Sequence, residues 1–262
     1  MIEPNFGEGQ LQQFANDEIL RYIYQNKGYE AVPIIPTPHK ENDLGFDTSM
    51  YLPWLKGTLN DGSNLFIQYK RSFLWGHGRR GKRPRYWNDW NQREYMQFPL
   101  YHIKESKKDY TQRDYLSDLS VEGYLVVYIT NHTVVLNELI KSYRQHTLLD
   151  EAPILRVHSY IKDHSEVTHT RNDRYFQLFS VPEKSEKYSL KYILDNAPKS
   201  DLVEDITRLQ KWLFTHGIKV PEEHLYINEG YLKAAAPETD IIRFLIVQDV
   251  LYFFFGIQWI RF

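Results

Sequence analysis

The chain has 262 residues, a formal net charge of −2 and no cysteine. That length can bury a sizeable core in one large domain or two small ones. The charge excludes a generic basic coater of DNA, and the absence of thiols excludes disulfides and cysteine-ligated zinc or iron–sulfur centres. Met1 to Asn5 show no basic stretch followed by an apolar run, so the expectation is a cytoplasmic protein without a secretory signal.

The first predicted element is a helix over Gln10 to Lys27, free of Pro and Gly, with Leu11, Phe14, Ala15, Ile19 and Tyr22 at helical spacing and Gly28 as its stop. Glu18 falls within that apolar face. A carboxylate facing a core is costly unless a cation meets it, which points to a metal or a lysine opposite. Asp17, nearer solvent, is the second choice.

Strands are expected at Tyr29 to Ile35, Phe46 to Leu52 and Leu65 to Arg71, the last two joined by a hairpin turn at Asp61-Gly62. Side chains alternate along a strand, so Gln68 and Lys70 share a face while Tyr69 points away. Asp47 on one strand and Gln68 with Lys70 on the next bring a carboxylate, an amide and an ammonium to neighbouring positions. Phosphodiester hydrolysis needs such a mixture. Oxygen ligands hold Mg²⁺, the ion lowers the pKa of a water, and a cation offsets charge developing on the phosphoryl oxygens. Asp47 is the expected metal ligand, and Lys70 the group that orients the water and stabilises the transition state.

These residues resemble the PD-(D/E)XK, or restriction-endonuclease-like, nuclease superfamily, in its Mrr-like variant. That variant carries a helical acid, Gly-Tyr, Asp-x-Gly-x-Asp and Gln-x-Lys, matched here by Glu18 or Asp17, Gly28-Tyr29, Asp43-Leu44-Gly45-Phe46-Asp47 and Gln68-Tyr69-Lys70. The resemblance covers about the first half of the chain. It implies an α/β fold with an αβββαβ core, a mixed central sheet flanked by helices, and Mg²⁺-dependent cleavage of DNA, with Mn²⁺ as a substitute. The implied metal ligands are Asp47, Glu18 and the backbone carbonyl of Tyr69, and the implied catalytic set is Asp47, Gln68, Lys70 and Glu18. Gln68 departs from the commoner acid at its position: it offers an oxygen without charge, so weaker metal binding is expected. Restriction or phage defence and a homodimer with one site per strand are implied only by analogy with the fold.

After Lys70 comes a basic, glycine-bearing segment with Arg71, Arg79, Arg80, Lys82, Arg83 and Arg85 and no acid between them. Such a loop can follow a phosphate backbone and release counterions. Phe73, Trp75, Tyr86, Trp87 and Trp90 are interleaved or adjacent; they suit base stacking, although for the tryptophans packing on the core is the stronger expectation. A helix over Trp87 to Lys104, interrupted near Pro99, is expected next. Its Gln97 and Tyr101 have the Gln-x-x-x-Tyr spacing that resembles a DNA-binding motif of RecB-like nucleases.

Further along, Gly123 to Thr130 reads as a buried strand, Thr133 to Arg144 as a helix, and Pro153 to Lys162 and Arg174 to Val181 as strands. His158, His164 and His169 lack a recognised ligand spacing and read as surface histidines. Residues 1–181 are taken as the nuclease core and 182–262 as a C-terminal α+β extension, packed on the core or forming an oligomer interface. Within that extension Leu202 to His216 reads as a helix through Ile206, Leu209 and Leu213. Ile241 to Phe262 is apolar but interrupted by Arg243, Gln248, Asp249, Gln258 and Arg261, which favours protein interior over membrane. Three readings stay open: a DNA endonuclease, a degenerate nuclease-fold DNA-binding module, and an interaction subunit in which Asp47 and Lys70 form a salt bridge.

Overall fold

The computed structural model describes residues 1–27, 62–76, 84–100, 112–180, 182–215 and 258–261. Asp47, Arg79, Arg80, Lys82, Arg83 and Tyr101, the strands expected over 29–35 and 46–52, and most of 241–262 lie outside the described residues. The fold is mixed α/β, and the chain divides into two compact units. The first holds Met1–Arg21 and Phe66–Ala197, the second Tyr22–Leu65 and Pro198–Phe262. These boundaries fall elsewhere than the sequence-based division after residue 181.

The first element is helix α1, Glu8–Lys27. Leu11, Ala15 and Ile19 recur every four residues and are fully buried, which is the stripe expected of a helix laid on a core. Strand β1, Gly62–Lys70, is buried from Ser63 onward on both faces, as an interior strand must be. After Arg71 and Ser72 the chain resumes as β2, Phe73–Trp75.

Over residues 87–100, the described part of the helix expected from Trp87 to Lys104, no helix forms. Residues 85–92 are turns, and Asn91 (φ 51°) and Gln92 (φ 61°) are left-handed, which stops a helix there. Tyr95–Pro99 then forms strand β3, with Met96 and Phe98 buried on one face and Pro99 closing the strand. The helix comes later, as α2, Gln112–Val121, and ends at Gly123 (φ 91°), where the Tyr124 N–H bonds the Leu119 carbonyl.

Strand β4, Leu125–Thr130, is buried throughout, and helix α3, Leu136–Gln145, follows it. A short helix α4, Leu148–Glu151, leads into β5, Ile154–Arg156. The strand expected to reach Lys162 stops there. Ser120 and Ser117 of α2 donate hydroxyl bonds to the Val157 and Ser159 carbonyls (2.8 and 3.0 Å), and a 3-10 helix, Ser159–Asp163, takes over. Strands β6, Glu166–His169, β7, Tyr175–Phe179, and β8, Glu183–Tyr188, form an antiparallel meander, and helix α5, Leu190–Asp195, ends the first unit.

In this unit the strands are ordered β1-β4-β5-β8-β7-β6-β3-β2, antiparallel from β4 onward. The ladder therefore begins and ends on successive stretches of one run of chain, and the sheet curls back on itself. Rings of Phe98 (β3) and Tyr128 (β4), which are not ladder neighbours, lie 5.9 Å apart across the inner face. Outside, residues 84–92 cap the sheet with Tyr86 stacked on Phe179 (3.8 Å) and Trp90 on Tyr175 (5.3 Å). Trp90 Nε1 donates to Thr168 Oγ1 at 2.9 Å. Tyr86, Trp87 and Trp90 are thus core side chains, the bland alternative to base stacking.

The second unit includes strand β9, Lys199–Ser200, antiparallel to Gly62 and Ser63, helix α6, Leu202–Thr215, and strand β10, Gln258–Arg261. Asp201 caps α6 by accepting the Glu204 N–H at 3.0 Å, a contact typically worth about 1 kcal/mol. Ile206, Leu209 and Trp212 form its buried stripe, and Asp205 accepts from Asn64 Nδ2 at 2.5 Å.

Between β1 and β2 the ladder is replaced by a side chain. Fully buried Asn131 accepts the Ser72 N–H (2.7 Å) and donates Nδ2 to the carbonyls of Ser72 (3.1 Å) and Thr133 (2.8 Å). Asn131→Ala leaves these buried backbone groups unsatisfied and is expected to cost roughly 2–4 kcal/mol of stability. Urea denaturation reads this out, and an unchanged midpoint would show that the bend holds without the amide.

Candidate active site

Gln68 and Lys70 share the inner face of β1. Contacts on either side fix this orientation. Phe66 meets Tyr124 edge-on (5.1 Å), and Ser72 Oγ bonds Thr130 Oγ1 (2.6 Å) and His169 Nε2 (3.2 Å), all on the even-numbered face. Tyr69 points the other way and donates its hydroxyl to Asn16 Oδ1 of α1 at 2.6 Å. The alternation expected of Gln-Tyr-Lys is therefore present, and helix α1 meets β1 on the face opposite to Gln68 and Lys70.

Gln68 is buried. Its Nε2 donates to the carbonyl of Tyr69 at 3.1 Å, while Oε1, also buried, has no hydrogen-bond partner among the described residues. A buried acceptor without a donor is costly, roughly 1–3 kcal/mol, unless a water or cation supplies one. Lys70 is likewise buried. An amide oxygen is a donor that a hard cation such as Mg²⁺ accepts, and Gln68 supplies one on the same strand face as the buried Lys70. The Tyr69 carbonyl, the backbone ligand implied by the resemblance, accepts the Gln68 amide.

Glu18 does not join them. It is buried, as its place on the apolar face predicted, and among the described residues its counter-charge is Arg21 rather than a lysine. Oε2 accepts the Leu149 N–H at the start of α4 (3.1 Å), and Oε1 lies 3.5 Å from Arg21 of its own helix. Burial raises its pKa above the ordinary value of 4.5, and the Leu149 amide and Arg21 oppose that shift. Asp17 is half-exposed and accepts the Tyr143 hydroxyl at 2.9 Å. Among the described residues no three His, Asp or Glu side chains gather as a metal-ligand set, and Asp47 lies outside those residues.

The basic residues also separate. Arg71 binds Glu3 (2.9 Å) and the Phe6 carbonyl (3.2 Å), tying down the N-terminal segment. Arg85 is largely exposed, 3.4 Å from Glu166 and over the Tyr86 ring. Gln97 sits mid-strand in β3, opposite Thr168 and Phe73.

Sequence reasoning missed the polar cluster that continues the Gln68–Lys70 face: Ser72, Thr130, Asn131 and His169. The available signal was Thr130-Asn131-His132-Thr133, a polar run directly after the apolar strand β4. His164 and His169 are not surface residues as expected; both are buried, and desolvation holds the His169 imidazole neutral, well below its usual pKa.

Because the pKa of Glu18 is raised in the folded chain, its contribution to stability is fully present below about pH 4.5 and is lost as pH climbs through the folded value. Glu18→Gln removes that dependence. The stability of the wild type relative to Glu18→Gln should therefore fall between pH 4.5 and 7 in thermal melts. If Mg²⁺ reverses this trend for the wild type alone, Glu18 is a metal ligand after all.

No protein family, curated protein or solved structure matches this chain.

Proposed function

We propose that the chain is a metal-dependent endodeoxyribonuclease whose centre is the Gln68–Lys70 face of β1. The observation that carries this reading is the buried, unpartnered Oε1 of Gln68 two residues from a buried lysine. The order of elements supports it. Helix α1 precedes β1, and α2 leads from the β1–β3 stretch into β4, the strand beside β1 in the sheet.

In this reading Gln68 Oε1 and Asp47 hold Mg²⁺ or Mn²⁺, which when bound lowers the pKa of a water and offsets phosphoryl charge. Lys70 donates hydrogen bonds to the attacking water and the phosphoryl oxygens, and its own charge grows in value because the strand is buried. Gln68, lacking charge, orients rather than neutralises. Glu18 has no part in the chemistry; it ties α1 to the N-terminus of α4. DNA as the substrate rests on the basic residues around Arg85.

A second reading, a nuclease-fold module that binds DNA without cutting it, is favoured by two observations. Glu18 is engaged away from β1, and Gln68 supplies no negative charge.

Cleavage of supercoiled and linear DNA with Mg²⁺ or Mn²⁺ separates the two. The nuclease reading expects cutting that EDTA and Lys70→Ala abolish, with at least about a hundredfold loss for the variant. Gln68→Glu should lower the Mg²⁺ concentration required for half-maximal rate. DNA retention without cutting, in any divalent ion, would establish the binding module instead.

A further inference from the structure

His132 follows closely on β4 and reaches the α3–α4 pair. Its side chain is 0% exposed, and Nε2 lies 3.1 Å from Glu151 Oε2, at the end of α4, and 3.3 Å from Ser142 Oγ of α3. Burial works against the Glu151 charge, but hydroxyl bonds from Thr147 (2.9 Å) and Ser142 (3.1 Å), together with His132 and with Arg171 at 3.3 Å, outweigh it and lower the pKa of this carboxyl. A carboxylate beside Nε2 fixes the tautomer: Nε2 carries the proton and donates it, and Nδ1 is the lone pair. Nδ1 is buried and has no hydrogen-bond partner among the described residues.

The ring is therefore satisfied only while neutral. A second proton enters at Nδ1, where it creates a buried N–H with no acceptor beside it, and such a donor is costly. The surrounding charges do not remove that cost. Burial is the largest influence on the ring and holds its pKa below the ordinary 6.5; Glu151 and Glu138 of α3 pull it upward, and Arg171 of the β6–β7 turn pushes it down. His169, at the end of β6, is within electrostatic reach of the ring and is itself kept neutral by burial, so it adds no counter-charge.

The consequence falls on one end of α4. At its start the Leu149 N–H is held by Glu18 (3.1 Å), and past its end the chain rejoins the ladder, with the Thr130 N–H donating to the Pro153 carbonyl at 3.1 Å. Between these fixed points Glu151 meets the segment after β4 through His132. We propose that His132 is an acid-operated latch, which pins the C-terminal end of α4 to the end of β4 at neutral pH and releases it in mild acid.

Hydrogen exchange of the full chain from about pH 7.5 to about pH 5, read by mass spectrometry and corrected for intrinsic rates, tests this beside a magnetic-resonance titration of the histidines. Because the latched ring has the lower pKa, its contribution is complete above about pH 6.5 and is lost as pH falls. One proton taken up on opening should lower the protection of residues 147–152 by up to about tenfold per pH unit, while β5 and β7 keep theirs. His132→Gln, which retains a neutral N–H donor, should leave that protection flat. Flat protection of 147–152 in the wild type, an equally steep fall in His132→Gln, or a loss shared evenly by β5 and β7 would overturn the proposal. So would a His132 titration midpoint at or above 6.5, a measurement on the wild type alone that decides the matter even where His132→Gln does not fold.

Discussion

The arrangement of the first unit depends on how the chain passes from β1 to β2. The same run must pair with β4 on one side and, a few residues later, with β3, which closes the ladder. A continuous strand cannot do this without freeing backbone groups at the bend, and buried N–H and C=O groups left unpaired are expensive. Asn131 resolves the conflict because one planar amide both accepts from and donates to the backbone of Ser72, reproducing a ladder pair with a side chain. Ser72 Oγ then turns inward to Thr130 and His169, so strands β1, β4 and β6 are joined at a single polar point inside an otherwise apolar sheet.

That point explains why polar groups accumulate on the inner face. Beside the bend, whose backbone groups Asn131 satisfies, the hydroxyls of Ser72 and Thr130 pair with each other on the inner face. Once polar atoms are committed there, the adjoining positions Gln68 and Lys70 extend a polar strip along the inner face rather than puncture an apolar one. Among the described residues the buried hydroxyl of Tyr128, like Oε1 of Gln68, has no hydrogen-bond partner, and burial raises the Tyr128 pKa.

The elements most legible in the sequence were those whose period matched their burial. Helix α1 and helix α6 carry apolar stripes at helical spacing, and β1 and β4 are apolar runs of strand length; all four stand where the pattern put them. The failure at Trp87 to Lys104 has a local cause. Aromatic residues at helical spacing there serve as a cap packed from outside, Asn91 and Gln92 take left-handed angles, and the alternating Met96 and Phe98 were masked by the helix-like count. Of the candidate site, strand alternation made the Gln68–Lys70 pair readable. The position of Glu18 was not, because periodicity shows that a carboxylate is buried but not which neighbour meets it. Its partners, Leu149 and Arg21, lie one far away in sequence and one on the same helix.

For the proposed nuclease, the engagement of Glu18 with the Leu149 N–H and Arg21 constrains the chemistry that β1 can support. A divalent ion held by one carboxylate and one amide oxygen carries more residual positive charge than one held by two or three acids, and it binds more weakly. The same residual charge makes it the stronger Lewis acid for a bound water, and leaves more of its coordination shell for phosphate oxygens. Such a centre is filled effectively only when the polyanionic substrate arrives with its own oxygens and counter-charge. In the nuclease proposed above, with Glu18 held by α4 and Arg21, substrate phosphate would have to complete the site, and metal binding and DNA binding would be coupled by linkage, each strengthening the other by the same factor. On that proposal the neutrality of Gln68 would make the site depend on the nucleic acid for assembly.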